Sequence, residues 1–205
     1  DRISKIKQTK KESFCLLKGN KPKIMGILNV TKDSFYDGGK FYNASNAIDH
    51  AYKLIEEGAD IVDVGGESSR PGAEPVSEIE ELKRVVPIIE EIASRFSVPI
   101  SIDTYKASVA KTCLEMGASI INDISAMRFD PKMIKVAKDS NAFLILMHMK
   151  GNPKNMQDLP DYNDVISDIL SFFKERIHEI KNGKIDINKI IIDPGIGFGK
   201  SIMHN

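Results

Sequence analysis

The feature that most constrains this chain is a repeat. Six short apolar runs each end abruptly in polar side chains, with a helix-like stretch between one run and the next. The runs are residues 24–28 ending at Asn29, 61–64 ending near Glu67 and Arg70, and 100–102 ending at Asp103. Then follow 119–121 ending at Asn122 and Asp123, 143–147 ending at His148, and 190–192 ending at Asp193. Such continuous, β-branched runs suit strands covered on both faces, and strict βα alternation implies a parallel sheet. Parallel strands point the same way, so their C-terminal ends gather on one face, where β/α barrels carry their chemistry. The expected architecture is therefore a TIM (β/α)8 barrel with about six of its eight βα units present. An open doubly wound sheet is the alternative, and the lack of a clear topological switch tells against it.

Length fits that count. The chain has 205 residues, whereas a full barrel typically needs about 250. It begins with Asp1 and ends at Asn205 on a glycine loop with no helix after it, so it reads as a piece of a longer protein. Residues 1–22 hold a β-like stretch around Ser13 and a turn at Lys18–Pro22, expected to form a hairpin covering the barrel bottom; residues 23–205 form the barrel proper. A helix is expected from a Ser45 cap to about Glu57, stopped by Gly58, and another from a Ser77/Glu80 capping box, with Pro87 predicting a kink or break. Three more helices are expected from about Lys106 to Met116, from Pro131 onward, and from about Asn163 to Lys181.

Charge excludes several partners. Lys plus Arg and Asp plus Glu balance at 29 each, so no global field draws nucleic acid or an anionic membrane. No apolar run approaches the roughly 18 residues of a membrane span, and no signal peptide is visible. Cys15 and Cys113 have neither metal-ligand spacing nor a disulfide framework, which suits a reducing, cytoplasmic setting.

The strand ends carry the candidate chemistry. Loop one, Asn29 to Gly39, is too long for a tight βα connection and offers Asn29 as a neutral oxygen ligand for a hard cation or phosphate; a solvated turn is the competing reading. Loop two, Gly65 to Ala73, sets glycines at a strand end and holds Arg70 between Ser69 and Pro71, a planar fork suited to diphosphate or carboxylate. The competing reading pairs Arg70 with Glu67 or Glu74 on the surface. Asp103, Asn122 and Asp193 form the most telling trio. A carboxylate can accept two bonds from a guanidine-like edge such as a 2-amino-4-oxo pterin ring. Against this, Asp103 and Asp123 could cap helices or pair with lysines. Loop six, Asp193 to Ser201, is one residue short of a Walker spacing and misses the dinucleotide fingerprint, leaving close backbone approach to a ligand. His148, between Met147 and Met149, reads better as a hydrogen-bonded supporting residue than as a base.

Several segments are recognisable together. Met25–Thr31 with Asp33-Ser34-Phe35, and Asp63–Ala73, resemble the two signature segments of the dihydropteroate synthase family. Ser101–Thr104, Ile121–Ile124, Leu146–Met149 and Asp193–Gly195 with Gly197–Lys200 match its later segments in order. The resemblance implies a (β/α)8 barrel that joins 7,8-dihydropterin-6-ylmethyl diphosphate to 4-aminobenzoate with release of pyrophosphate, an alkyl-group transferase of folate synthesis inhibited by sulfonamides. It implies that Asp103, Asn122 and Asp193 hold the pterin with Met147 beside the ring, and that Asn29 ligates Mg2+ on the diphosphate. Ser69, Arg70, Pro71, Phe35 and Phe198 would shape the aminobenzoate and diphosphate side. Asp103 and Arg70 would carry the catalysis, and a homodimer is expected for the full-length protein.

Two departures stand out: Ser69 where the family usually has Thr, and Lys32 where it has proline. The family's strand-seven Ser-Arg-Lys and strand-eight Arg-x-His anion-binding segments are not in residues 1–205, so these residues alone are expected to be inactive; dihydropteroate formation by them would refute this. Within the same fold, a methyltetrahydrofolate-binding methyltransferase domain is the main rival. A non-catalytic pterin-binding module is a third reading, and neither accounts for the Arg70 and Asn29 loops.

Overall fold

The computed structural model describes residues 21–31, 44–70, 72–153, 156 and 161–205. The expected N-terminal hairpin (residues 1–22) lies almost wholly outside these residues, as does most of loop one with Phe35; Pro71 lies outside them too. The described elements alternate as the repeat predicts. They are β1 (Met25–Asn29), α1 (Ala44–Glu56), β2 (Ile61–Gly65), α2 (Glu78–Arg95), β3 (Ile100–Asp103) and α3 (Ala107–Met116). Then come β4 (Ile120–Asp123), α4 (Met133–Ser140), β5 (Phe143–Met147), α5 (Val165–Asn182), a 3-10 turn (Ile187–Lys189) and β6 (Ile190–Asp193).

The strands form one parallel sheet in the order β1-β2-β3-β4-β5-β6. Sequence order equals spatial order, with no reversal of the kind that defines a doubly wound sheet. This is an arc of a β/α barrel, open between its edge strands β1 and β6. Exposed apolar side chains mark that opening: Ile27 on β1 is 49% exposed and Ile192 on β6 is 52% exposed.

Two cores follow from strand alternation. The outward faces, including Leu28, Val62, Val64, Ile102, Ile121, Leu144 and Leu146, pack against Ile88, Ile89 and Ile92 of α2 and the other helices. The inward faces form a separate cluster of Ile61, Ile120, Phe143 and Ile145 with Met25 and Ile191. Above it, toward the strand C-termini, the interior turns polar.

Helix boundaries follow local chemistry. Ser77 caps α2 as the capping box requires, its Oγ accepting from the Glu80 amide at 3.3 Å. Ser45, expected as a cap, lies inside α1, one residue after its start. Pro87 does not interrupt α2, which runs uninterrupted over 18 residues. Pro87 is on the solvent side, so the carbonyl left without its helical donor can be hydrated. Pro131 precedes α4 rather than opening it, because Asp130 spends its carboxylate on the Lys132 amide (2.9 Å) and on the Ala107 amide that starts α3 (2.9 Å).

Candidate active site

The strand register places the predicted residues side by side. Asn29 pairs with Gly65, Gly65 with Asp103, and Asp103 with Asn122. On the far side Met147 pairs with Asp193. Gly65 lies between the Asp103 and Asn29 side chains: a Cβ there would be in ordinary contact with both, 3.4 Å from Asp103 Oδ2 and 3.6 Å from Asn29 Oδ1.

Asp103 and Asn122 are held differently. The Asn122 amide donates from Nδ2 to Asp63 Oδ2 at 3.0 Å, which commits its donor inward and leaves Oδ1 as the acceptor for anything above. Asp103 accepts no hydrogen bond and no ion pair among the described residues. Burial, with the charges of Asp63, Asp123, Glu81 and Glu67, pushes its carboxyl well above the usual carboxylate range. Beneath it, burial raises the Asp63 carboxyl, an effect that the Asn122 amide partly offsets. Asp63 Oδ1 and Ser101 Oγ are buried without a well-formed hydrogen bond among the described residues. Burying a carboxylate without a donor, as at Asp103, is costly, and N–H groups or positive charge would offset that cost.

Asp63 was not among the candidates read from the sequence. Its signal was a carboxylate inside an otherwise apolar run, Ile61-Val62-Asp63-Val64. An ionisable residue two positions before the strand end lies on the same face as that end.

Asp123 behaves as a structural cap. It is fully buried, and its carboxylate accepts from the amides of Ser125 (2.7 Å) and Met127 (2.9 Å). Asp123 thus caps its own turn over residues 124–127 rather than a helix, and Asp103 caps nothing among the described residues.

Two hollows flank loop two. The larger, about 640 Å3, is bordered by Thr31, Ser68, Arg70, Glu80 and Arg84. The smaller one is lined by Ser69, Asp103, Tyr105 and Ile124. The strand-end carboxylate of Asp103 lies in the smaller hollow, not the larger one. Arg70 is exposed at the rim and makes no salt bridge among the described residues. Its expected competitor Glu67 is committed elsewhere, to Lys106 at 2.6 Å, Tyr105 at 2.6 Å and the Val76 amide at 2.8 Å.

The β5–β6 side is apolar and internally satisfied. Met147 joins Ile124, Met149 and Met156 in a buried cluster against which Phe198 and Tyr105 pack. Asp193 Oδ1 accepts from the Gly195 amide at 2.8 Å. Lys200 is buried, with Nζ 3.0 Å from His148 Nδ1 and donating to the carbonyls of Gly195 (2.9 Å) and Phe198 (3.1 Å). Burial, Lys200 and Arg128 together lower the His148 pKa to about 4. His148 is therefore a neutral acceptor for the ammonium, as the supporting reading expected. Gly195 adopts φ +67, and a Cβ there would collide with the His148 carbonyl. The close approach made by loop six is thus to its own neighbouring strand end.

Chemically, the mouth presents a carboxylate without partners, an oriented carboxamide, a second carboxylate and a thioether-rich wall. At the edge stand the Arg70 guanidinium, without a salt bridge among the described residues, and the Asn29 carboxamide oxygen. Among the described residues no helix is long and apolar enough to cross a membrane.

Comparison with known proteins agrees with this arrangement. Residues 25–205 match the model of a family described as pterin binding enzyme. The chain is 48% identical over 184 residues to the dihydropteroate synthase of Escherichia coli, covering 90% of this chain and 65% of that protein. It spans just under two thirds of that relative's length. It superposes with a TM-score of 0.84 on the Yersinia pestis dihydropteroate synthase solved in a sulfonamide drug complex, at 48% identity, covering 90% of this chain and 66% of that one. A Xanthomonas albilineans dihydropteroate synthase solved with 4-aminobenzoic acid also gives 0.84, at 43% identity, covering 91% of this chain and 66% of that one. With the family match running from β1 through the last residue, over the whole mouth just described, the chain belongs to the family of pterin-binding enzymes.

Proposed function

We propose that the protein carrying this chain is a dihydropteroate synthase, joining 7,8-dihydropterin-6-ylmethyl diphosphate to 4-aminobenzoate with release of pyrophosphate. The observation that carries this reading is the Asp103–Asn122 pair, with one carboxylate lacking partners beside one carboxamide of fixed polarity. A pterin edge supplies two N–H donors to Asp103, which relieves the carboxylate's uncompensated burial. Asn122 Oδ1 accepts from a further ring N–H, Asp193 closes the floor, and Met147 lies against the ring. Arg70 faces the diphosphate, while Ser69 and Phe198 shape the aminobenzoate side. Phe35 and Pro71 are assigned to that side through the family resemblance alone.

Mg2+ fits this mouth. Asn29 offers a neutral oxygen beside the cleft, and among the described residues no group of three or more His, Cys, Asp or Glu competes for a metal. That suits an ion that takes most of its ligands from diphosphate and water. When bound it would supply charge neutralisation on the leaving group. The chain's own residues do the rest. As the pterin methylene C–O bond breaks, the electron pair leaves with pyrophosphate, toward Arg70. The positive charge left on the pterin delocalises opposite Asp103. The aminobenzoate nitrogen then forms the C–N bond and loses its proton to water. Aniline nitrogen is already nucleophilic, so no strong base is required.

The same reading makes the small-molecule substrates the partners, with neither nucleic acid nor membrane. It also includes a homodimer of the full-length protein, a cytoplasmic location, and residues 1–22 as a cover on a barrel domain from residue 23. The test is pyrophosphate release by the full-length protein, dependent on both Mg2+ and 4-aminobenzoate. Release or methyl transfer that ignores aminobenzoate would favour the methyltetrahydrofolate-dependent alternative.

A further inference from the structure

The ion-pair cluster beneath loop two belongs to none of the roles above. Lys106 sits at the start of α3, three residues after Asp103. An ammonium has three donors, and all three are engaged. They reach Glu67 Oε2 at 2.6 Å, the Val76 carbonyl at 2.7 Å, and Glu81 Oε2. Glu67 in turn accepts from the Val76 amide at 2.8 Å and from the Tyr105 hydroxyl at 2.6 Å. The Lys106 side chain is 12% exposed and that of Glu81 only 1%.

Glu67 and Val76 are the two feet of the loop that carries Ser69 and Arg70. One carboxylate and one ammonium therefore close both feet against a turn that begins at Asp103. We propose that Lys106, assisted by Tyr105, is a positioning residue that locks the Ser69–Arg70 loop in register with the Asp103 strand end. Lysine suits the task because its donors splay tetrahedrally toward three separate acceptors, which a planar guanidinium cannot match. Lys106 is outside the lining of the hollow that holds Asp103 and Ser69, whereas Tyr105 is part of that lining. Each acts through the feet of the loop.

The consequence for activity rests on the synthase reading, and the test separates the two. In full-length Lys106→Met, amide hydrogen exchange across residues 68–76 is expected to accelerate at least about tenfold, while exchange in β3 and β4 stays protected. Affinity for 6-hydroxymethylpterin, measured by titration calorimetry, is expected to stay within about twofold of wild type, whereas KM for 4-aminobenzoate rises about tenfold. A merely structural role would lower both together. Unchanged exchange over 68–76, or pterin affinity falling in step with the aminobenzoate KM, overturns the proposal. Removing Lys106 strands two glutamates. If that variant does not fold, Tyr105→Phe deletes one bond to Glu67 and is expected to shift the same readouts about threefold; no shift overturns the proposal. If the wild type shows no aminobenzoate-dependent pyrophosphate release, the synthase reading fails, and the exchange and pterin measurements still decide the lock.

Discussion

The two sides of the mouth solve the problem of buried polarity in opposite ways. Around β2–β4, Asp63 and Asp103 are enclosed without cationic partners, and burial raises both carboxyls. Around β5–β6, a buried cation is satisfied three ways over, by His148, Gly195 and Phe198. Among the described residues the first side leaves buried carboxylate oxygens without donors, whereas the second satisfies its buried ammonium. The difference teaches that polar strand ends in a barrel are not equivalent: some are tied down by their own loops and others are not.

The contrast can be broken at Asp103 first. Asp103→Asn is expected to cost at least about 3 kcal/mol in pterin affinity, roughly 100-fold or more, because a charge-assisted bidentate contact is lost. The same substitution is expected to raise the melting temperature of the unliganded protein, since it removes a buried charge with no partner. Calorimetry and thermal unfolding on one sample check both signs. A fall in both would mean that Asp103 is structural.

On the other side the signs reverse. Lys200→Met leaves buried carbonyls of Gly195 and Phe198 without a donor and is expected to destabilise by about 2–3 kcal/mol in denaturant unfolding. Unlike Asp103→Asn, it gains nothing in the unliganded state.

The pH response should also differ in sign. Asp63 and Asp103 have folded pKa values above the ordinary 3.8. Between that value and their folded pKa values, the folded state binds more protons than the unfolded one. Their stabilising contribution is therefore present at low pH and lost as pH rises. The neighbours setting this are Asp123, Glu81 and Glu67. His148 has its pKa lowered from 6.5 to about 4, so its contribution is full above 6.5 and lost as pH falls toward 4. In unfolding curves against pH, Asp103→Asn should shrink the high-pH limb, leaving the share of Asp63, and His148→Asn should remove the low-pH limb. Both limbs unchanged would refute the assignment.

The smallest effect is expected at Ser69. Ser69→Thr restores the family's methyl group on the aminobenzoate side and should lower KM for 4-aminobenzoate by no more than about threefold, roughly 0.6 kcal/mol, since a half-buried methyl is worth less than a fully buried one.

Much of this was legible before any coordinates. Strand order, the parallel sheet and the gathering of Asn29, Asp103, Asn122, Met147 and Asp193 follow from periodicity and from one rule about barrel ends. The ends of α3 and α5 were read to within a residue or two: Gly117 stops α3 with φ +129, whereas after α5 it is Lys184, one past Gly183, that takes the left-handed conformation. What failed was non-local. Asp63 read as part of an apolar run, yet it sits on the interior face and fixes the Asn122 amide. Lys106 read as the first residue of a helix, yet its ammonium joins loop two to α2 across 39 positions to Glu67. Gly195 read as a place for a ligand's backbone approach, yet the approach is to the His148 carbonyl.

The six polar strand ends, their order, and the residue types available for a pterin and a diphosphate were therefore determined by the sequence alone, since they depend on local propensity and on period. Which of those polar groups stay unsatisfied was decided only by the tertiary structure. A side chain's hydrogen-bond partners come from elements far away in the chain. In the low-dielectric interior, their presence or absence separates Asp123, a cap for its own turn, from Asp103, a carboxylate that accepts no hydrogen bond among the described residues.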